Sequence, residues 1–376
     1  MSIALDKVRL RANPAYRAVP WNRVTPEARE TLAMGADGYG VLAPQEGSHL
    51  PLVAIDRDTA LLFLTLQEPG PAPDFVFAAN AGEGERALRR LLLDRVLELE
   101  QLGDYVSGPE ACALMGVGPA GTRGSLVQLS IEAIRYGAAL ADADAMTLAH
   151  KLYRYNTRPV TPMLRRRLPD RAAFVDFLGL GPNGAARHAI DRSWASGDDS
   201  PAWAVFMARQ PRRRRAEQPC KLYLGLALEE LPDCLPRLAA ELGRSEATQF
   251  KIGVELAGLL RPDKLVIYFP SKEALLATAQ ALLPIVEGRT VHAVPFSAEI
   301  ASGGALSWGI DPETAWFGDR ASWRQWVCEK LAAALITARH SNVHGLEPWQ
   351  FALERLRLEG VDTETFMPTG NWSEAA

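Results

Sequence analysis

Lys221 and Lys251 lie thirty residues apart in two short runs of one design, CKLYLGL (Cys220–Leu226) and FKIGVEL (Phe250–Leu256), and Arg261 follows in LLRPDKLVIYF. Drawn as strands, these runs put Lys221, Tyr223 and Gly225 on one face, and Lys251, Gly253 and Glu255 on one face. Two polar stripes in otherwise apolar strands suggest a site. Just upstream, PRRRRAE (211–217) adds four arginines, among them Arg214 and Arg215. Guanidinium forks match phosphate oxygens in a bidentate way, so these residues together describe a cationic corner suited to a phosphate or an acidic peptide. Crowded cations disfavour each other's charged forms, and a lysine made partly neutral in this way is a usable base. Two plainer readings stand beside this one. The arginines can form a solvated loop, and the lysines can be edge-strand gatekeepers against aggregation.

Other motifs are fewer. The chain has no GxxxxGK[ST] loop, no HExxH, no GxSxG and no EF-hand loop. GVGPAG (116–121) is glycine-rich but follows no convincing strand, which argues against a nucleotide site there. His340 and His344 have i, i+4 spacing, yet Ser341, Asn342 and Gly345 make a helix end the better reading. Neither a metal nor a cofactor is called for.

Composition narrows the class. With 376 residues, 48% apolar and 23% charged residues and a net charge of -4, the chain is an ordinary globular one, large enough for two domains, and nothing points to nucleic acid. The four cysteines form no CxxC pair, which fits a reducing cytosol better than a disulfide framework or a zinc site. The N-terminus carries charges where a signal peptide needs apolar residues, and no later stretch offers about 18 uninterrupted apolar residues. A cytoplasmic protein with no membrane contact is expected.

The elements that must position the lysines are most regular after residue 203. CKLYLGLAL reads as a strand, LPDCLPRLAAEL as a helix with Pro232 in its first turn, FKIGVEL and KLVIYF (264–269) as strands, Ser271–Val286 as a helix and TVHAVPF (290–296) as a strand. The order is β-α-β-β-α-β. Helices are also expected over about 87–101, over SLVQLSIEAIRYGAALA and AMTLAHKLYRY between Ser125 and Tyr155, with Asp142 and Asp144 as cap candidates, and over Trp323–His340 and Glu347–Gly360. LPLVAID (50–56) and ALLFLTL (60–66) look strand-like, while Arg192–Trp203 and SGGALSWG (302–309) look like loops. The fold class expected is α+β, a mixed sheet on the β-α-β-β-α-β core with helices on one face, plus a largely helical N-terminal region. The division expected is 1–200, of unassigned role with leader-peptide or kinase binding as a guess, and 201–376.

The C-terminal half resembles the HopA-type effector family. CKLYLGL, QFKIGVELAGLLRPDKLVIYF, the run from VPFS to ALSWGIDPE and LEGVDTETFMP carry the resemblance, which covers roughly residues 148–368 and reaches the first half only weakly through LYRYNTRP (152–159). That family includes a type III effector of plant pathogens and relatives in gene clusters for class V lanthipeptides and thioamide-containing peptides, where it accompanies a kinase-like protein. The resemblance implies removal of phosphate from phosphorylated Ser or Thr of a ribosomally made precursor peptide, leaving a dehydroamino acid. The partners implied are that phosphorylated precursor peptide and the kinase-like protein.

A more distant similarity is to phosphothreonine lyases, which have a Lys-x-His strand, a lysine base about thirty residues on, and then a phosphate-binding arginine. Lys221-Leu222-Tyr223, Lys251 and Arg261 look like the counterparts, with Tyr223 where that family has its histidine acid. β-Elimination needs a base for the α-proton, a cation near the carbonyl and cationic clamps on the phosphate. Lys251, Lys221 and Arg261 satisfy that list, with Arg214 and Arg215 as further clamps. The departure at Tyr223 keeps open a non-catalytic peptide-binding or kinase-partner subunit. A nucleotide-dependent transferase is weaker, since no nucleotide motif is present.

Overall fold

The computed structural model describes residues 3–32, 38–77, 81–117, 124–140, 144–197, 202–209, 220–301, 303–312, 322–339, 341 and 343–369. Its first part carries strands β1 (Leu10–Ala12), β2 (Tyr16–Pro20), β3 (Gly38–Pro44), β4 (Val53–Asp56), β5 (Leu97–Gln101) and β6 (Asp104–Val106). They form two three-stranded sheets, β1-β5-β6 and β2-β3-β4. With them come helices α1 (Pro26–Thr31), α2 (Arg57–Thr65), α3 (Ala81–Leu93), α4 (Pro109–Met115), α5 (Ser125–Ala138) and α6 (Ala145–Tyr153). The region thus combines helices with two small antiparallel sheets.

Two local expectations fail here for identifiable reasons. ALLFLTL lies in helix α2, because the Asp56 carboxylate accepts the Thr59 amide at 2.7 Å and caps a helical start; an apolar run alone does not distinguish strand from helix. The helix expected over 87–101 stops at Leu93, turns through Arg95 at φ 60°, and continues as β5. In β5 the alternation Leu97-Glu98-Leu99-Glu100 wins: both leucines are buried, and Glu98 pairs with Arg11 of β1 at 2.6 Å. Of the cap candidates, Asp144 caps α6 by accepting from Thr147, and Asp142 lies outside the described residues.

The second part builds on β7 (Trp194–Ser196), β8 (Trp203–Ala208), β9 (Cys220–Leu224), β10 (Gln249–Gly253), β11 (Leu265–Phe269), β12 (Ala298–Glu299) and β13 (Leu306–Ile310). They form one seven-stranded sheet in the order β12-β13-β9-β11-β10-β8-β7, and every neighbouring pair is antiparallel, where a mixed sheet was expected. The strand expected over 290–296 is absent. Val291 makes only a single bridge to Leu226, and Pro295 has no N–H to give a ladder. Two expected loops instead contribute strands: Trp194 starts edge strand β7, and SGGALSWG supplies β13 after a turn in which Gly303 and Gly304 have φ of 88° and 72°.

The accompanying helices are α7 (Pro162–Arg167), α8 (Arg171–Phe177), α9 (Ala185–Asp191), α10 (Leu231–Leu242), α11 (Leu256–Leu259) and α12 (Lys272–Val286). Leu222, Phe250, Ile267 and Trp308 on one face of the sheet share a core with Ile190, Leu235 and Leu282 from α9, α10 and α12. Each such fully buried side chain stabilises by about 1.5–3 kcal/mol.

The chain then closes with α13 (Trp323–Ala338), α14 (Pro348–Leu358) and a small hairpin of β14 (Val361–Asp362) and β15 (Met367–Pro368). Helices α13 and α14 join the core of the first part: Val327, Leu331, Phe351 and Leu356 pack with Leu92, Ile131 and Leu148. Arg355 of α14 enters it paired with Asp94 at 2.5 Å and Glu359 at 2.6 Å. The opposite, polar face of the large sheet is left for the site.

Candidate active site

Register places the sequence-predicted residues on one face. Lys221 on β9 stands opposite Tyr268 on β11 and Gly309 on β13; Tyr223 stands opposite Val266 and Ser307; Val266 in turn stands opposite Lys251 on β10. Strands β9 and β10 are both interior to the sheet, so the gatekeeper reading falls: neither lysine guards an exposed edge. Side chains of directly opposed residues rise from the same face about 5 Å apart. They converge on a cavity of about 120 Å³ whose lining includes Lys221, Tyr223, Lys251, Arg261, Arg324 and Tyr153.

Three of the four cations there are paired with carboxylates. Lys221, buried at 8% exposure, forms an ion pair with Asp311. Arg261 donates through Nε and Nη2 to the two oxygens of Asp263, each at 2.8 Å, and through Nη2 to the Tyr153 hydroxyl, also at 2.8 Å. Arg324, 1% exposed, reaches Asp263 through Nη1 at 2.7 Å and donates to the carbonyls of Pro295 and Tyr153, each at 2.9 Å. The Nη1 approach lacks hydrogen-bond alignment, so charge attraction holds that arm, and its N–H groups have no hydrogen-bond partner among the described residues. The centre of the Tyr153 ring is 4.9 Å from the Arg261 guanidinium and 4.7 Å from that of Arg324.

Burial works against ionising Asp263, but Arg324 and Arg261 outweigh it and hold the carboxyl well below the usual range. For Arg261 burial likewise opposes the charge, and Asp263 more than restores it.

Lys251 differs. Among the described residues it has no carboxylate within ion-pair reach; its Nζ lies 4.5 Å from the centre of the Trp203 ring and 5.9 Å from that of Tyr268. Burial, then the nearby Lys221 cation, lower its pKa. The hydroxyl of Tyr223 has no hydrogen-bond partner among the described residues, and burial followed by the Asp311 charge pushes its pKa well above 10, so it holds its proton.

The structure thus brings Lys221, Tyr223, Lys251 and Arg261 together. Arg214 and Arg215, with the whole 211–217 run, lie outside the described residues, as do His340 and most of GVGPAG. Sequence reasoning missed Asp263, Asp311, Arg324 and Tyr153. Asp263 stands two residues after Arg261, and Arg324 sits in the first turn of a helix between two tryptophans, WRQW, where a charge set among large apolar residues was the available signal.

Chemically, Lys221, Arg261 and Arg324 set against Asp263 and Asp311 leave one positive charge uncompensated in a small cavity, and protonation of Lys251 adds a second. That balance suits a phosphoryl dianion. Among the described residues no group of three or more His, Cys, Asp or Glu is placed to hold a metal ion, and no helix is long and apolar enough to cross a membrane.

No family model and no curated protein matches the sequence. Among solved structures, the chain is similar to an effector protein from Pseudomonas syringae pv. tomato strain DC3000, at 15% identity and TM-score 0.41, over 64% of this chain and 97% of that one. It is similar to an effector protein from Pseudomonas syringae pv. syringae strain 61 at 13% identity and TM-score 0.40, over 65% and 97%. The Chromobacterium violaceum VirA (SpvC) phosphothreonine lyase effector matches at 12% identity and TM-score 0.26, over 31% of this chain and 65% of that one.

Proposed function

We propose that this chain is a phosphopeptide lyase that eliminates phosphate from phosphoserine or phosphothreonine in a ribosomally made precursor peptide, giving dehydroalanine or dehydrobutyrine. The observation that carries the reading is the contrast at Lys251. It is the cavity cation without a carboxylate among the described residues, and it lies where burial and a neighbouring cation favour the neutral amine. In the proposed step Lys251 takes the α-proton, the Cα–H electrons form the Cα=Cβ bond, and the Cβ–O bond breaks with its electrons leaving on phosphate. No water is consumed. The Lys221 ammonium faces the peptide carbonyl as negative charge develops there, Arg261 and Arg324 hold the phosphate, and Tyr223 supplies the proton to the leaving oxygen. A kinase-like partner would provide the phosphorylated substrate.

The test is incubation with a phosphorylated Ser/Thr-rich precursor and mass spectrometry for loss of phosphoric acid with no oxygen gained. Unchanged cognate phosphopeptides would end the lyase reading.

One observation favours a second reading. A buried phenol that holds its proton this firmly is a weak acid for a leaving phosphate. It fits a subunit that binds phosphopeptide and presents it to a kinase or another enzyme, for which peptide binding without turnover is the expected result.

A further inference from the structure

We propose that Asp311 is a positioning residue that fixes Lys221 relative to Arg324, holding the β9 ammonium and the start of α13 with one carboxylate. Its two oxygens do different work: Oδ2 pairs with Lys221, while Oδ1 accepts the backbone N–H of Trp323, the first residue of α13, at 2.9 Å. Asp311 itself is 8% exposed.

The surroundings make the joint stiff. Gly309 stands opposite Lys221 in register, and a Cβ there would come within 2.5 Å of Trp323 Cδ1, so the absence of a side chain lets the indole seat against β13. Trp323 and Arg324 are adjacent, so wherever Asp311 places the first amide of α13, the Arg324 guanidinium goes with it. Arg324 then meets Asp263 and through it Arg261. The carboxylate therefore spans from the cation on the sheet to the first amide of the helix that carries the guanidinium. A carboxylate suits this place because a buried ion pair and a helix N-terminal amide both favour negative charge.

The kinetic arm of the test rests on the lyase reading. Asp311→Asn keeps an oxygen for the Trp323 amide and loses the ion pair. It is expected to lower kcat on the order of tenfold with little change in KM, because orientation rather than binding is lost. Asp311→Ala also frees the start of α13 and is expected to raise KM for the phosphopeptide as well. In a Lys221→Met background, Asp311→Asn is expected to change kcat by less than about twofold. A full-sized effect in that background, or an unchanged kcat in Asp311→Asn alone, would overturn the proposal. If the wild-type protein turns over no phosphopeptide, the lyase reading fails and amine labelling decides on Asp311. Labelling at Lys221, read by peptide mass mapping, should rise several-fold in Asp311→Asn, since the amine is no longer held against the carboxylate and is free to meet the reagent. No rise there would sink the proposal.

Discussion

Lys264 and His292, both buried, meet at 3.0 Å, Nζ to Nδ1. The lysine also donates to the carbonyls of Leu226 at 2.8 Å and Pro262 at 3.4 Å, and the other ring nitrogen of His292 donates to the Asn156 carbonyl at 2.5 Å. A carbonyl only accepts, so Nε2 carries the proton and Nδ1 receives the lysine. No carboxylate touches either group among the described residues. Asp263, Arg158 and Glu229 are the charges that act on the pair.

Stability should therefore rise with pH in two windows. Burial pulls Lys264 down to about 7 from 10.5, and burial followed by the Lys264 charge pulls His292 down to about 4 from 6.5. Between the folded and unfolded values the unfolded chain binds more protons, so the slope of unfolding free energy with pH is positive. Thermal melts should show rising midpoints from about pH 4 to 6.5 and again from about pH 7 to 10.5. His292→Gln should flatten the first window and Lys264→Met the second; parallel curves in wild type and variants would refute the assignment.

Lys251→Met should reduce elimination by about 10² to 10⁴, the usual contribution of a general base. In the wild type the acid limb of the pH–rate profile should lie below the ordinary lysine range, because burial and then Lys221 lower the Lys251 pKa. Lys221→Met should move that limb upward while also lowering the maximum. A limb that stays put in Lys221→Met would show that the two lysines do not sense each other.

Tyr223→Phe removes one hydroxyl from an otherwise retained ring. If that hydroxyl protonates the leaving phosphate, single-turnover rates should fall by about 10² or more with phosphopeptide affinity preserved. An unchanged rate would assign the departing phosphate its proton from another group or from water.

Asp263→Asn leaves Arg261 and Arg324 without their shared carboxylate. Loss of one member of a buried ion cluster costs about 3–5 kcal/mol, so a lower urea midpoint is expected. Inorganic phosphate in excess should restore more stability to this variant than to the wild type, since an anion bound to the native state replaces part of the missing charge. Equal phosphate effects in the two proteins would argue against anion binding at these arginines.

Legibility of the sequence tracked the range of the forces involved. Lys221 and Tyr223 were readable because a period of two puts them on one face of β9, and Lys251 because β10 repeats the design; Arg261, in the connection between α11 and β11, was readable only from its place after these strands. Helix α10 was readable from Pro232 and its apolar stripe, and α12 from Ser271, whose hydroxyl accepts the Ala274 amide at 3.2 Å. The helix expected over 87–101 ran past a turn because Val96 and Leu99 extend a helical spacing that Leu97 and Leu99 also satisfy as a strand. β13 was hidden by the two glycines before it, which signal a turn but carry no information about the element beyond it. Arg324 and Tyr153 come from helices joined to the sheet only by tertiary packing, Asp311 directly follows the unforeseen strand β13, and no local pattern says which distant carboxylate will meet which lysine.

The placement of α13 has a consequence for the order in which the chain becomes competent. Its apolar side belongs with α6 and α14, while its first turn carries Arg324 to the sheet, 171 residues from the Tyr153 carbonyl that the guanidinium binds. During synthesis the strands bearing Lys221 and Lys251 emerge well before the helix that completes their surroundings. Contacts of such long sequence separation form late and slowly. A nascent chain stopped short of α13 would hold an open cationic face with no finished pocket, so phosphate recognition should appear only once α13 has been made and has packed on the sheet.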